Sequence, residues 1–218
     1  MARQAVKGGT DTLVATPHHW YGGREDAPAA WVREQVALLQ AEIEQRHIPL
    51  KVVPGVEIKV NAENARQLAT GHLGTLGDAG AYALIETPFH YLPPDALENL
   101  RAVQREGIQV VIAHPERIHE FQRDLSFVHA CAAHGMAFQL TTGSLLGRFG
   151  PGVQQTAEAI LAHAGEWPLV IASDTHDLGQ RSPDLMRQAR DAAARLVGAE
   201  LAQDMVDARP RAMIVRTA

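Results

Sequence analysis

The sequence is short of cysteine, because Cys131 is the single thiol among 218 residues. One thiol cannot form an internal disulfide, so a disulfide-stabilised fold is excluded and a reducing compartment fits. Cys131 lies in the apolar stretch FVHACAAHG, without the glycine-rich loop and nearby arginine that an activated thiolate needs. We therefore predict a buried helical position for Cys131 and exclude a covalent thiol mechanism.

Long apolar runs and an excess of positive charge are missing as well. No run approaches the roughly 18 residues of a membrane-spanning helix, and the N-terminus lacks the basic-then-apolar layout of a signal peptide. Lysine and arginine total 20 against 25 aspartate and glutamate, so nothing favours binding to nucleic acid or acidic membranes. We expect a cytoplasmic protein that neither binds nucleic acid nor inserts into a membrane.

Short apolar runs alternate with helical patterns along the chain. The predicted strands are TLVAT (12–16), LKVVPGVEI (50–58), YALIE (82–86), QVVIAH (109–114), AFQLTT (137–142) and PLVIAS (168–173). The predicted helices are 1–7, 26–45 with Asp26 as N-cap, and about 95–106, 124–135, 151–164 and 183–206. This alternation predicts parallel βαβ units and an α/β fold class.

The ends of the predicted strands favour a barrel over an open sheet. Almost every strand ends in a polar cluster: TPHH, PGVE, IETP, AHPER, TTGS and SDTH. In a (β/α) barrel the catalytic groups come from the C-terminal ends of many strands, whereas an open sheet gathers them at one switch point. No GxGxxG or GxxxxGK segment follows any strand, which weakens nucleotide-binding alternatives. We expect one domain spanning residues 1–218.

Imidazole and carboxylate side chains concentrate at these strand ends. The candidates are His18, Glu57, Glu86, His114, Asp174 and His176. Such groups bind zinc, manganese and iron, and carboxylates gathered at one rim would repel each other without a cation between them. The pattern predicts a multinuclear metal site. The alternative for any single residue is a capping or solvent-facing role, and His19 is expected to be secondary to the site or exposed.

Six motifs together resemble the signature segments of a known family. They are ATPHH (15–19), PGVEI (54–58), LIETP (84–88), VIAHPER (111–117), TTGSLLGRFG (141–150) and IASDTHDLGQR (171–181). In order and approximate spacing they are similar to the PHP-superfamily protein-tyrosine phosphatases of bacterial capsule and exopolysaccharide operons. The resemblance implies a distorted, TIM-like (β/α)7 barrel with up to three divalent metal ions, commonly manganese, with iron or zinc as alternatives.

The resemblance also implies roles for individual residues. It makes Glu57 a bridge between two metals, adds Glu86 and His114 to the second, Asp174 to the first, and His18 with His176 to the third. Arg117 and Arg181 are similar to family arginines that bind the substrate phosphate, a role that suits a planar, permanently charged fork. Arg148 and Ser144 are weaker candidates for shaping the pocket.

The chain departs from the family pattern at its beginning. The family opens with a strand carrying a D-x-H-x-H motif, followed by a further acidic ligand, and nothing similar precedes Met1. On this basis we expect an N-terminally incomplete domain in which the first strand of the barrel is missing. Of the three implied metal sites, only the Glu57, Glu86 and His114 set is complete.

The function implied is hydrolysis of phosphotyrosine monoesters by metal-activated water. The expected substrate is the tyrosine-rich tail of an autophosphorylating kinase that controls polysaccharide export, and homo-oligomers are possible. Two alternatives stay open: a histidinol-phosphate-type small-molecule phosphatase with the same fold, and a non-catalytic remnant that binds a partner.

Overall fold

The computed structural model describes residues 1–21, 24–25 and 27–215. Its strands are β1 (Thr12–Ala15), β2 (Trp20–Tyr21), β3 (Arg24–Glu25), β4 (Lys51–Pro54), β5 (Glu57–Lys59), β6 (Tyr82–Glu86), β7 (Gln109–Ala113), β8 (Ala137–Thr141) and β9 (Leu169–Ala172). Its α-helices are α1 (Ala2–Lys7), α2 (Ala29–Gln45), α3 (Asn64–Ala69), α4 (Ala96–Arg105), α5 (Ser126–Ala133), α6 (Thr142–Leu145), α7 (Pro151–Leu161), α8 (Met186–Val197), α9 (Ala199–Asp204) and α10 (Ala208–Met213). Short 3-10 helices cover Leu76–Asp78, Pro115–Arg117 and Pro183–Leu185.

The chain divides into two compact units. Within the described residues, the first unit comprises Met1–Thr10, Phe89–Tyr91 and His114–Ala212. The second comprises Asp11–Pro88, Leu92–Ala113 and the residues from Met213 onward. Each unit contains parallel strands and helices, which confirms the predicted α/β class, whereas closure of the strands into a barrel stays a prediction.

In the second unit, two sets of parallel strands carry the core. β1 pairs with β4, and β5, β6 and β7 pair in that order. In β7 four consecutive residues, from Val110 to Ala113, are buried. Burial of successive residues means that both faces of the strand are covered, which is why its sequence is continuously apolar rather than alternating.

The run 50–58, predicted as one strand, forms two strands with different partners. The break falls at Gly55, where a Cβ atom would lie 2.9 Å from Val14 Cγ1 and 3.0 Å from Thr16 Cγ2. This close approach lets β4 stay on β1 while β5 turns to pair with β6. An isolated parallel bridge then joins His18 to Glu57, with the amide of Glu57 donating to the Pro17 carbonyl at 3.0 Å.

In the first unit, β8 and β9 pair in parallel. All five residues of β8 are buried, and α5 adds Val128 and Cys131 to the core. The predicted position of Cys131 is therefore confirmed. The helix predicted over 183–206 is instead divided between a 3-10 turn, α8 and α9, because Gly198 (φ 91°, ψ 154°) interrupts the helical backbone.

The predicted start of α2 is wrong by a few residues. The helix begins at Ala29, with Pro28 in the preceding extended position, and Asp26, the predicted N-cap, lies outside the described residues. Among the described helices, none has the length and apolar character needed to cross a membrane.

The turn before β6 offers a matched pair of glycines for a stability test. Gly77 (φ 66°) and Gly80 (φ 72°) both have left-handed backbones, but a Cβ on Gly77 would lie 2.6 Å from the carbonyl oxygen of Ile214. Gly80→Ala should lower the free energy of unfolding by about 1 kcal/mol through backbone strain alone. Gly77→Ala should cost at least about 1 kcal/mol more, because backbone must also move. Urea denaturation measures both, and equal losses would contradict the contact.

Candidate functional site

Three predicted ligands meet in the second unit and form what we call the carboxylate cluster: His18, Glu57 and Glu86. One ligand atom from each lies within 4.8 Å of the others, and Nε2 of His18 is 3.2 Å from Oε2 of Glu57. The isolated parallel bridge between residues 18 and 57 brings the side chains of His18 and Glu57 together. Parallel pairing sets Glu57 of β5 opposite Leu84 of β6, two residues before Glu86, and so brings Glu86 near the other two residues.

The carboxylate cluster fits a divalent cation by its donor chemistry. It offers one imidazole nitrogen and two carboxylates, the mixed set that zinc, manganese and iron accept. Glu57 is only 6% exposed, so its charge is largely withdrawn from water while a second carboxylate lies close by. Carboxylate groups held this closely repel each other, and a bound cation would relieve the repulsion.

His19 is not exposed, contrary to one of the two expectations for it. Its side chain is 2% exposed, and Nδ1 accepts a hydrogen bond from the backbone amide of Lys59 at 3.0 Å. The amide of His19 donates to the carbonyl of Glu57 at 3.0 Å. Both bonds join the segment that carries His18 to β5, so His19 helps to hold His18 next to Glu57.

Four other predicted residues meet in the first unit and form the arginine cluster: Arg117, Asp174, His176 and Arg181. Arg117 donates from Nη1 to Oδ2 of Asp174 at 2.8 Å, and Arg181 donates from Nη2 to the same oxygen. Arg181 also donates from Nε to the backbone carbonyl of Asp174 at 3.1 Å. Nδ1 of His176 lies 3.0 Å from that carbonyl, to which it donates in its Nδ1-protonated tautomer. Two guanidinium groups thus converge on one anionic oxygen.

Left-handed backbone conformations mark two of the predicted ligands. His114 has φ 31° and Asp174 has φ 47°, values that non-glycine residues adopt at a cost of about 1 kcal/mol or more. The His114 ring is 2% exposed and stacks on Phe89 at 5.3 Å between centroids. His114 thereby turns the chain at the end of β7 into the 3-10 turn that carries Arg117.

Glu116 was not among the predicted site residues. It precedes Arg117 in the sequence HPER and is fully buried. Its Oε1 accepts hydrogen bonds from the amide and hydroxyl of Thr141 at 2.9 and 3.1 Å. Burial raises the pKa of the Glu116 carboxyl, and hydrogen bonds from Ser144 and Thr141 oppose that shift. Glu116 therefore anchors the turn to the end of β8. A charged residue three positions after the end of the apolar strand β7 was the available signal.

The two weaker pocket candidates have different positions. Ser144 is buried in α6, with Oγ 2.6 Å from Oγ1 of Thr141, so it supports the Glu116 anchor rather than lining an open surface. Arg148 is exposed and donates from Nη1 to the carbonyls of Gly179 and Gln180 at 3.1 and 3.2 Å. It therefore contacts the loop that carries Arg181.

Comparison with known proteins agrees with this arrangement of motifs. The family model described as capsular polysaccharide synthesis, CpsB/CapC, matches residues 1–215. This chain belongs to the CpsB/CapC family.

Named members of the CpsB/CapC family are similar over most of the chain. Tyrosine-protein phosphatase YwqE of Bacillus subtilis (strain 168) is 39% identical over 186 residues, which cover 84% of this chain and 70% of YwqE. CapC of Staphylococcus aureus, which carries the same assignment in provisional form, is 27% identical over 192 residues, covering 86% of this chain and 72% of CapC.

A solved structure is similar over the whole chain. It comes from crystal structures of YwqE from Bacillus subtilis and CpsB from Streptococcus pneumoniae, described there as unique metal-dependent tyrosine phosphatases. The TM-score is 0.89 with 34% identity, covering 100% of this chain and 86% of the other. The similarity supports the predicted PHP fold class.

The cysteine of this CpsB/CapC chain should be chemically silent in the native state. Cys131 is buried, and burial raises the pKa of its thiol to about 12. At pH 8 the thiolate fraction should be about a thousandfold below that of an ordinary thiol. We expect no prompt reaction with a thiol-specific dye in native buffer and one equivalent in guanidinium, with Cys131→Ser as the control. Prompt native labelling would contradict the burial.

Proposed function

We propose that this chain is a metal-dependent tyrosine-protein phosphatase that hydrolyses phosphotyrosine in protein substrates. The observation that carries the proposal is the convergence of His18, Glu57 and Glu86 donor atoms within 4.8 Å, in a member of the CpsB/CapC family. The names of the relatives add the tyrosine specificity.

The carboxylate cluster is the proposed holder of a divalent cation, with manganese as the proposed ion and iron or zinc as alternatives. His114, Asp174 and His176 are proposed as further ligands. When bound, the cation supplies Lewis acidity that neutralises phosphoryl charge and makes water nucleophilic near neutral pH. The buried Glu57 carboxylate would give such an ion an anionic partner whose backbone is held in β5.

The arginine cluster is the proposed binding site for the phosphoryl group. Arg117 and Arg181 both donate to Oδ2 of Asp174, so the two guanidinium groups can reach one anionic oxygen together. A phosphoryl oxygen is an acceptor of the same kind, and each arginine has several N–H donors in a rigid fork. The two permanent charges would stabilise the phosphate as negative charge builds on it during P–O cleavage.

The alternatives carry less support. The relatives are named tyrosine phosphatases, so a histidinol-phosphate-type activity has no observation in its favour, and the presence of the donor cluster weighs against a non-catalytic remnant. We also propose that the physiological substrate is the tyrosine-rich tail of a kinase, that the protein is cytoplasmic and that it forms homo-oligomers.

Hydrolysis of p-nitrophenyl phosphate and of a phosphotyrosine peptide with manganese present tests the activity. Both should be hydrolysed, a phosphoserine peptide should not, and a chelator should abolish turnover.

Glu57→Gln should lower metal content, measured by elemental analysis, and reduce metal affinity at least about tenfold. The exposed Glu63→Gln is the matched control. Chelator-insensitive hydrolysis, or full activity in His114→Ala, would rule the mechanism out.

Truncation of either clustered arginine tests the phosphate-binding proposal. Arg117→Ala and Arg181→Ala should each lower kcat/KM by about 100-fold or more, because a charged donor to the reacting group is lost. Arg117→Lys should recover little, since lysine lacks the planar fork. The control is Arg105→Ala, which removes an exposed arginine paired with Glu98. Near-normal kcat/KM in both cluster variants would contradict the assignment.

A further inference from the structure

The guanidinium group of Arg117 lies over two phenyl rings of the first unit. Its Cζ atom is 5.1 Å from the ring centre of Phe89 and 4.7 Å from that of Phe149. Both distances fall within the range of cation–π attraction. Phe89 also stacks on His114, so one face of Arg117 is supported by a ring that is itself packed.

This arrangement orients an arginine without using its hydrogen-bond donors. A free arginine side chain loses roughly 1.5–2 kcal/mol of rotamer entropy when it is immobilised. Contact with two aromatic rings restricts the guanidinium group in advance, and a ring face does not replace the hydrogen-bond acceptors of its N–H groups. Those groups stay directed in the plane, where Nη1 of Arg117 already donates to Asp174. An anion that binds in this plane would meet a preorganised donor.

The Phe149 ring packs against the backbone of α6 at Gly143, a position without a side chain. A Cβ atom on Gly143 in α6 would lie 2.6 Å from Cε2 and 2.8 Å from Cζ of that ring. Glycine at position 143 therefore allows the ring to approach the helix backbone and so to face Arg117.

Arg148, the residue before Phe149, is hydrogen-bonded to the segment that leads into Arg181. Arg148 donates to the carbonyls of Gly179 and Gln180, and Nε2 of Gln180 donates back to the carbonyl of Arg148 at 3.2 Å. The next residue after Gln180 is Arg181. The loop thus contacts Arg117 through the Phe149 ring, and through Arg148 it contacts the segment that leads into Arg181.

We propose that Phe149 is a positioning residue for phosphate binding: its ring, seated on Gly143, holds the Arg117 guanidinium in the orientation that receives the phosphoryl group. The inference rests on the proposed phosphatase function and adds to it a residue that touches neither metal nor the reacting atoms.

Substitution of the ring tests the proposal. Phe149→Leu should raise KM for p-nitrophenyl phosphate about 3- to 30-fold, the range expected for loss of a cation–π contact, with a smaller change in kcat. The dissociation constant for inorganic phosphate, measured by calorimetry on the metal-loaded protein, should rise by a similar factor. Phe149→Tyr keeps the ring face and should stay near wild type. Phe127→Leu, which removes a half-buried ring stacked on Phe121, is the matched control.

Two further variants separate positioning from a general structural effect. Gly143→Ala should reproduce the rise in KM with Phe149 intact, because the added methyl group displaces the ring. In an Arg117→Ala background, Phe149→Leu should change the phosphate dissociation constant less than about twofold, since the residue through which it acts is gone.

Each outcome decides between the proposals. If the wild-type protein hydrolyses p-nitrophenyl phosphate but Phe149→Leu behaves like Phe127→Leu, the positioning role is overturned alone. Fully additive effects of Phe149→Leu and Arg117→Ala, or a normal KM in Gly143→Ala, overturn it as well. If the wild-type protein neither hydrolyses phosphomonoesters nor binds phosphate, the proposed function fails and the inference fails with it.

Discussion

The close approach of two carboxylates to one imidazole, within 4.8 Å, is the constraint on which the functional interpretation depends. In a partly buried setting, like charges at this spacing raise the free energy of the folded chain unless a cation compensates them. Backbone pairing favours the approach, since the bridge from residue 18 to 57 and the parallel register of β5 with β6 bring the three residues together. The metal proposal follows from this electrostatic conflict rather than from any single residue.

The first unit combines strained backbone at two residues with a buried carboxyl group. His114 and Asp174 adopt left-handed backbones, and Glu116 is a carboxylate withdrawn from water. Each feature is unfavourable locally and persists because the apolar strands β8 and β9 and the helices around them stabilise the unit. The gain is that Arg117, Asp174 and Arg181 have defined directions. Such preorganisation is what electrostatic stabilisation of a reacting phosphate requires.

Much of the secondary structure was predictable, and the exceptions have physical reasons. β6 matches its predicted range, and β7, β8 and β9 lie within a residue of theirs, because continuous apolar runs bounded by polar residues are typical of covered parallel strands. The run 50–58 was misinterpreted because strand propensity does not reveal which neighbour a strand will pair with. The break at Gly198 was missed because a glycine inside a helical pattern can be tolerated or can end the helix. The single-domain and barrel predictions stay predictions.

The amino-acid sequence by itself determined the chemistry available to this protein: imidazole, carboxylate and guanidinium groups in or shortly after apolar strands, and one inert thiol. Only the tertiary structure decided which of these groups meet. It brought Glu86 to His18 and Glu57, two arginines to one oxygen of Asp174, and the Phe149 ring to Arg117. Local periodicity records which face of an element is apolar, whereas contacts between different elements depend on strand register and on close approaches that single glycines permit.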